Sequence, residues 1–148
     1  MYARPWRRIR DFVMLKILDM LSGGPMHGYA IMKRLEEEFA VKMSPGLVYP
    51  ILREMRGMGL VVSRESGGDG RKTVLYEITG HGLEFLESRR SELELFEKRF
   101  SRIRYCGLLL AMERLREILE RIDGLSDSEL ERVRRAVEVF LENTRGVG

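Results

Sequence analysis

The chain has 148 residues, of which 44% are hydrophobic and 33% charged, enough for one folded domain or for a small domain with an appended helical part. Its net charge of +3 is too small to identify a polyanionic partner by itself. The single cysteine, Cys106, excludes an intrachain disulfide and a thiolate zinc cluster, and it is typical of a reducing cytoplasm.

The N-terminal segment is similar to a signal peptide in one respect. Four arginines, at positions 4, 7, 8 and 10, precede an apolar stretch over residues 12–21. Lys16 and Asp19 interrupt that stretch, and no small-residue cleavage site follows it. The longest uncharged apolar run, residues 106–112, is too short to cross a bilayer. We therefore expect a cytoplasmic protein without a membrane partner.

Hydrophobic periodicity predicts two helices in the N-terminal part of the chain. The first runs from about Trp6 to Leu21 and ends at a Ser-Gly-Gly-Pro sequence, and the second runs from about His27 to Phe39. Residues 40–43 form a short connector to the next helix. His27 is a candidate metal ligand, but His81 is far away in the sequence and no cysteine pair accompanies it, so a turn or cap role is favoured.

A third helix is predicted over residues 44–57, with Ser44 as its N-cap. One apolar stripe at helical spacing should be buried: Val48, Ile51, Leu52 and Met55. The opposite side carries Gly46, Tyr49, Pro50, Arg53 and Arg56. This pattern alone is that of any amphipathic surface helix. The preceding helix and short connector make it the recognition helix of a helix-turn-helix, with Pro50 tolerated in the first turn if the helix begins near residue 46 or 47.

The residues after Gly59 change to an alternating pattern. Two β-rich runs, 60–66 and 72–78, flank a Gly-Gly-Asp-Gly sequence and predict a β-hairpin, or wing, with Arg71 and Lys72 at its tip. Residues 1–78 carry 13 lysines and arginines against 9 acidic residues, so the basic excess lies with these elements.

The rest of the chain is predicted to be helical. Thr79 should cap a long helix that continues to Tyr105, followed by a bend at Gly107. Ser126 and Glu129 form a capping box for the last helix, and Cys106 is interpreted as a buried small hydrophobe, with a redox role as the alternative. A heptad-like seam predicts a dimer interface made by Leu86, Leu93, Phe96, Phe100, Ile103 and Leu110.

Four motifs in this sequence resemble those of PadR-type transcriptional regulators, at the family's spacing over about residues 12–86. They are Pro25-Met-His-Gly-Tyr29, Ser44-Pro-Gly-Leu-Val-Tyr-Pro-Ile-Leu52, Gly57-Met-Gly-Leu-Val61 and Tyr76-Glu-Ile-Thr-Gly-His-Gly82. The resemblance implies a homodimeric winged helix-turn-helix protein that binds an operator and usually represses, in some members until a small lipophilic or aromatic compound releases it. Leu47 departs from the pattern, since a small hydroxyl residue is common there.

These observations predict a mostly α-helical fold with a small β-hairpin: a winged helix-turn-helix domain at 1–80 and a helical dimerisation region at 81–148. Inverted-repeat double-stranded DNA is the expected partner. The expected DNA-binding residues are Tyr29, Lys33, Ser44, Gly46, Tyr49, Pro50, Arg53, Arg71 and Lys72. Arg53 is the candidate for a base edge, or else pairs with Glu36 or another acid on the surface. An effector pocket would use Trp6, Met14, Phe96, Phe100 and Tyr105.

Two other classes of function compete with this interpretation. A winged-helix module that binds proteins without binding DNA is favoured by Leu47 and by Asp69 at the wing. An enzyme is disfavoured because no nucleophile–base pair, phosphate loop or ligand cluster has the spacing that chemistry requires. We therefore expect no catalytic residue, metal or cofactor.

Overall fold

The first helix carries apolar residues around most of its circumference and lies at the centre of the fold. In the computed structural model, which describes residues 5–67 and 73–147 with side chains from Ile9 onward, this helix is α1 (Pro5–Ser22). Leu15, Ile17 and Leu18 are fully buried in it. A helix that is apolar around most of its circumference must be covered on several sides, and α1 packs against α3, α4, α5 and β3.

The elements follow the predicted order, and the mostly helical fold with a small sheet is confirmed. After α1 come β1 (Met26–His27), α2 (Gly28–Phe39), α3 (Pro45–Gly57), β2 (Val61–Ser66) and β3 (Thr73–Ile78). Then follow α4 (Gly80–Ser88), α5 (Arg90–Tyr105), α6 (Leu108–Glu120), a 3-10 turn (Ile122–Gly124) and α7 (Asp127–Asn143). None of the helices in the described ranges is both long and apolar enough to span a bilayer.

The sheet has one strand more than the hairpin that the sequence predicts. Strands β2 and β3 pair antiparallel from Val61 opposite Ile78 to Ser66 opposite Thr73. β1 adds to the other edge of β3, with Met26 opposite Tyr76, so the strand order is β1-β3-β2. A two-residue strand has no periodicity to detect, which is why the sequence did not indicate it. The sheet thereby joins the start of α2 to the wing.

The prediction of one long helix from Thr79 to Tyr105 is wrong. The structure divides this segment into α4 and α5 at Arg89 (φ −119°, ψ 16°). Thr79 does cap α4, and its hydroxyl accepts a hydrogen bond from the Gly82 N–H at 2.9 Å. A Cβ at Gly82 would lie 2.1 Å from the carbonyl oxygen of Leu60, so α4 packs directly on the backbone that enters β2. Tertiary packing at both helices overrides the continuous heptad pattern.

The division of the helix also corrects the predicted dimer seam. Leu86 and Leu93 are 0% and 2% exposed in the core of their own chain, where a second copy cannot reach them. Phe96 stacks on Phe12 at 5.1 Å between ring centroids, and Phe100 meets Phe39 edge-on at 4.8 Å. Leu86 and Leu93 therefore serve the fold of one chain, whereas Phe96 and Phe100 pack against its core and stay partly exposed. Contacts of Phe96, Phe100, Ile103 and Leu110 with a second copy stay predictions.

By its contacts, the chain forms two compact units, one up to Cys106 and one from Gly107. The first extends through α4 and α5, past the division predicted at residue 80; which residues form a dimerisation region remains a prediction. Cys106 is exposed rather than buried, because α5 ends at Tyr105 just before it. Gly107 (φ 70°) occupies the left-handed region between α5 and α6, and this confirms the predicted interruption.

The second unit is a pair of helices with a predominantly apolar groove between them. The predicted capping box is present at the start of α7, where the Glu129 carboxylate accepts a hydrogen bond from the Ser126 N–H at 2.8 Å. No described residue of α6, the 3-10 turn or α7 is fully buried. A groove of about 720 Å³ is lined by Leu115, Ile118, Val133, Val137 and Phe140 among others. This unit has helices but no enclosed core.

Candidate nucleic-acid interface

The predicted two-sided character of the third helix is confirmed. α3 buries the predicted stripe of Val48, Ile51, Leu52 and Met55, each 2% exposed or less. Ser44 is the N-cap residue, and Gly46, Tyr49, Pro50 and Arg53 are exposed on the other side. The fold thus holds α3 by its apolar face and presents a second face with an arginine and a tyrosine to solvent.

Pro50 lies inside α3 rather than in its first turn, because the helix begins at Pro45. Proline has no N–H, so the carbonyl of Gly46 receives no helical hydrogen bond from it. The site is on the exposed face, where water or a ligand donor can satisfy that carbonyl. The predicted N-cap at Ser44 is confirmed, so the condition for Pro50 in the first turn, a helix that begins near residue 46 or 47, is not met.

The turn between α2 and α3 is held by one carboxylate. Glu36 accepts a hydrogen bond from the ammonium of Lys33 at 2.7 Å and another from the Met43 N–H at 3.1 Å. The hydrogen bond from Lys33 is the main reason that the pKa of Glu36 lies below its usual value, and the same bond raises the pKa of Lys33. Ala40 ends α2 in the left-handed conformation (φ 52°). These contacts fix the connector that sets the direction of α3.

Arg53 has no ion pair or hydrogen bond among the residues that the structure describes, and its side chain is exposed. The alternative interpretation, a surface pair with Glu36, is not observed, because that carboxylate is occupied by Lys33 and Met43. Arg56, in contrast, donates to the hydroxyl of Ser63 at 3.1 Å and so connects α3 to β2. Of the two arginines of α3, Arg53 is the one whose five donors remain available to a ligand.

Tyr49 is positioned by two residues that the sequence interpretation did not assign to the site. A Cβ at Gly28 would lie 2.9 Å from Cε1 of Tyr49 and 3.2 Å from Cε2 of Tyr76, so both rings pack on the bare backbone at the start of α2. Burial raises the pKa of Tyr76, and the nearby Tyr49 adds to the effect. The Gly in the Met-His-Gly-Tyr segment was the signal for this close approach. Tyr49 remains 37% exposed.

The other predicted contact residues lie beside α3 or outside the described range. Tyr29, at the start of α2, is 60% exposed, and the Lys33 ammonium lies 5.7 Å from the centre of its ring. Lys33 is already paired with Glu36 and is therefore less available to a phosphate than the sequence suggests. Arg71 and Lys72 at the wing tip lie outside the described residues. Arg64 and Glu77 pair across the two strands of the wing.

The predicted effector residues differ in exposure, and their role in a pocket stays a prediction. Met14 is buried at 4% exposure, Tyr105 is 93% exposed, and the side chain of Trp6 lies outside the part that the structure describes. Phe96 and Phe100 both pack near Phe12. Met14 is therefore part of the core that Phe96 and Phe100 pack against, whereas Tyr105 lies in solvent at the end of α5.

A cleft of about 310 Å³ does open beside Phe100, between α1, α2 and α5. Its wall includes Lys16, whose ammonium lies 2.8 Å from Glu38 and 2.7 Å from Glu97. Burial lowers the pKa of Lys16, but hydrogen bonds to the two carboxylates outweigh it and leave the pKa raised. Arg104 of α5 also donates to the carbonyl oxygen of Glu38 at 3.1 Å. Together these contacts tie α5 to the end of α2.

Comparison with known proteins gives a consistent result. The model of the transcriptional regulator PadR-like family matches residues 17–88. The transcriptional regulator Rv3488 of Mycobacterium tuberculosis is 33% identical over 85 residues, which are 57% of this chain and 78% of that protein. The transcriptional regulator YqjI of Escherichia coli is 35% identical over 99 residues, which are 63% of this chain and 46% of that protein. This chain thus spans less than half the length of YqjI.

A solved structure agrees with the sequence matches. The crystal structure of TA0346 from Thermoplasma acidophilum is 32% identical, with a TM-score of 0.58 over 66% of this chain and 94% of that chain. The matches place this chain among transcriptional regulators and not among enzymes. With its three helices and wing in the matched region, the chain belongs to the PadR-like family of transcriptional regulators.

Proposed function

We propose that this chain is a sequence-specific DNA-binding repressor that acts as a homodimer on an inverted-repeat operator. The observation that carries the proposal is the exposed face of α3, where Arg53 is unpaired within the described residues while the opposite face is locked into the core. The names of the relatives, both transcriptional regulators, support it.

In this proposal, α3 enters the major groove and the residues around it fix its position. Ser44, Tyr29 and Tyr49 contact phosphates, to which hydroxyl groups readily donate. Arg53 donates two hydrogen bonds to the O6 and N7 atoms of a guanine, the usual pairing for arginine at a base edge. Arg71 and Lys72, which lie outside the described residues, are proposed to contact the adjacent backbone.

The second unit supplies the dimer contact. Two helices that bury no side chain completely are not expected to be stable in water, because tertiary packing provides most helical stability. The exposed large apolar side chains of this unit include Leu110, Met112, Leu115, Leu119, Val139, Phe140 and Leu141. A second copy would bury them, and a two-fold axis would place two α3 helices in successive major grooves about 34 Å apart.

Release by a small lipophilic or aromatic effector is the regulatory part of the proposal. The cleft beside Phe100 supports it, because Phe12 and Phe39 provide apolar surface and Glu38 lies at the end of α2. A compound bound there would disturb the contacts that hold α2 to α5, and hence the direction of α3. If aromatic carboxylates and phenols leave DNA affinity unchanged at millimolar concentration, this part is wrong.

The experiment is to select bound duplexes from a random pool with the full chain and to measure their affinity against salt. We expect inverted-repeat sequences and an affinity that falls steeply as salt increases, because bound phosphates release counterions. Arg53→Ala should cost about 1–3 kcal/mol of binding free energy at the selected site and relax the preference at one base pair.

The matched control is Arg102→Ala, which removes another exposed arginine, from α5. It should leave the base preference unchanged. Binding that is independent of salt, or an Arg53→Ala variant that discriminates between sequences as well as the wild type, would contradict the proposal. A chain that binds no duplex but retains a protein partner would favour the protein-interaction alternative.

A further inference from the structure

Leu47 is a large apolar side chain on the surface that we assign to DNA. It lies in the first turn of α3, where its N–H donates to the carbonyl oxygen of Ser44 at 3.0 Å. It is 45% exposed, whereas the next residue, Val48, is fully buried. The fold therefore gains little from this leucine, and its exposure requires another explanation.

Leu47 lies on an open part of α3, beside small, apolar and polar exposed residues. A Cβ at Gly46 would approach only the hydroxyl of Ser44, at 3.9 Å, so no residue that the structure describes covers this position. Pro50 lies one turn along the same side and is also exposed. Arg53, one turn farther, is the nearest exposed charge along this face, while Glu54 is paired with Arg10.

An apolar side chain cannot form a hydrogen bond with a phosphate oxygen or with a hydrogen-bonding atom of a base. Within the major groove, the apolar feature of a base edge is the C5-methyl group of thymine. The first residues of a recognition helix are those that reach base edges. A protein partner is a poorer fit, because it would need an apolar patch of several hundred Å², whereas Ser44, Gly46 and Arg53 surround this leucine.

We infer that Leu47, with Pro50 beside it, reads the methyl group of a thymine in each half-site of the operator. The inference rests on the proposed DNA-binding function and adds a determinant of specificity to it. Arg53 then selects a base by hydrogen bonding, whereas Leu47 selects one by excluding water from a methyl group.

The test replaces the thymidines of a selected duplex by deoxyuridine, one position at a time. This change removes the methyl group and leaves the hydrogen-bonding atoms of the base intact. Affinity is measured by fluorescence anisotropy at one salt concentration for the wild type and for Leu47→Ala. One position per half-site should lose affinity roughly fourfold for the wild type, the value expected for one buried methyl group. The same replacement should leave the affinity of Leu47→Ala unchanged.

Leu95→Ala is the matched control, because Leu95 is 49% exposed on α5, away from α3. It should keep the wild-type dependence on the methyl group. If no thymine matters, or if Leu47→Ala keeps the same dependence, the inference is overturned while DNA binding stands, and Leu47 is left to contact a protein instead. If no duplex binds at all, the proposed function fails together with the inference.

Discussion

The two units of this chain contain similar helices but differ in what those helices bury. In the described residues up to Cys106, 21 hydrophobic side chains form one buried cluster around α1. In the unit from Gly107 onward, no described residue of α6 or α7 is fully buried. The apolar periodicity of the sequence is clear in both, so periodicity alone does not distinguish a helix that completes its own core from one that requires a partner.

This difference in burial between the two units can be tested first with the same substitution, leucine to alanine, in each unit. Leu52→Ala, at 0% exposure in α3, should lower the free energy of unfolding by about 2–5 kcal/mol, because it leaves a cavity in a packed core. Leu119→Ala, at 68% exposure in α6, should cost less than about 1 kcal/mol in dilute protein. Urea unfolding followed by circular dichroism at several protein concentrations provides both values.

The protein concentration separates the two cases further. The cost of Leu52→Ala should not change with concentration, whereas that of Leu119→Ala should grow once a partner covers α6. If both substitutions lower the free energy of unfolding equally and independently of concentration, the second unit has a core of its own. The two units would then not differ in the way described.

A charge placed in the groove of the second unit should weaken the proposed dimer. Phe140→Asp puts a carboxylate where Val133 and Val137 line the same groove, and a buried unpaired charge opposes association. We expect the dimer dissociation constant to increase by roughly 30-fold or more, the effect of losing an interface anchor worth about 2 kcal/mol. Sedimentation velocity over a dilution series measures it.

Val147→Asp provides the control, because it adds the same charge at a position that is 80% exposed and outside the groove. It should leave the dissociation constant within about twofold of the wild type. A Phe140→Asp protein that sediments as the wild type does would place the contact between copies elsewhere. In either variant, thermal unfolding of the first unit should be preserved.

The smallest expected effect concerns the ion pairs that join helices within the first unit. The folded-state pKa of Lys16 is raised above its ordinary value of 10.5. The stabilisation is therefore fully present below pH 10.5 and is lost as the pH rises through the folded-state pKa. Lys16→Met keeps the apolar stem and removes the charge, so the wild type should be more stable by about 1 kcal/mol at neutral pH.

That advantage over Lys16→Met should shrink as the pH approaches about 11, measured by urea unfolding of both proteins side by side. Lys98→Met, in which an exposed lysine of α5 is replaced, should show no comparable dependence. A difference between the wild type and Lys16→Met that is constant with pH would show that the lysine contributes through its stem alone.

Local sequence patterns were sufficient to predict the helices and strands that bury one face and have clear ends. Ser44 and Gly57 delimit α3 as predicted, and Thr79 caps α4 as predicted. The hairpin was predicted correctly, and Tyr76 of β3 faces the core, although burial along β3 does not alternate strictly. The predicted contact residues of the DNA surface stay predictions.

The errors share a physical cause, which is competition between a local pattern and packing from elsewhere in the chain. Leu86 and Leu93 have heptad spacing, but α1 occupies their face. Gly82 must approach Leu60 closely, and this requirement sets the direction of α4 independently of α5. Pairing of Met26 with Tyr76 depends on a partner 50 positions away, as the register shows, and no local signal specifies it.

The contact between Gly28, Tyr49 and Tyr76 has a consequence for anyone who would retarget this protein to a new operator. Because the two rings and the bare backbone occupy one shared space, a larger residue at position 28 is compatible only with a smaller one at 49 or 76. Redesign at this site therefore has to proceed by paired replacement, and libraries that vary one position at a time will sample mostly misfolded or inactive solutions there.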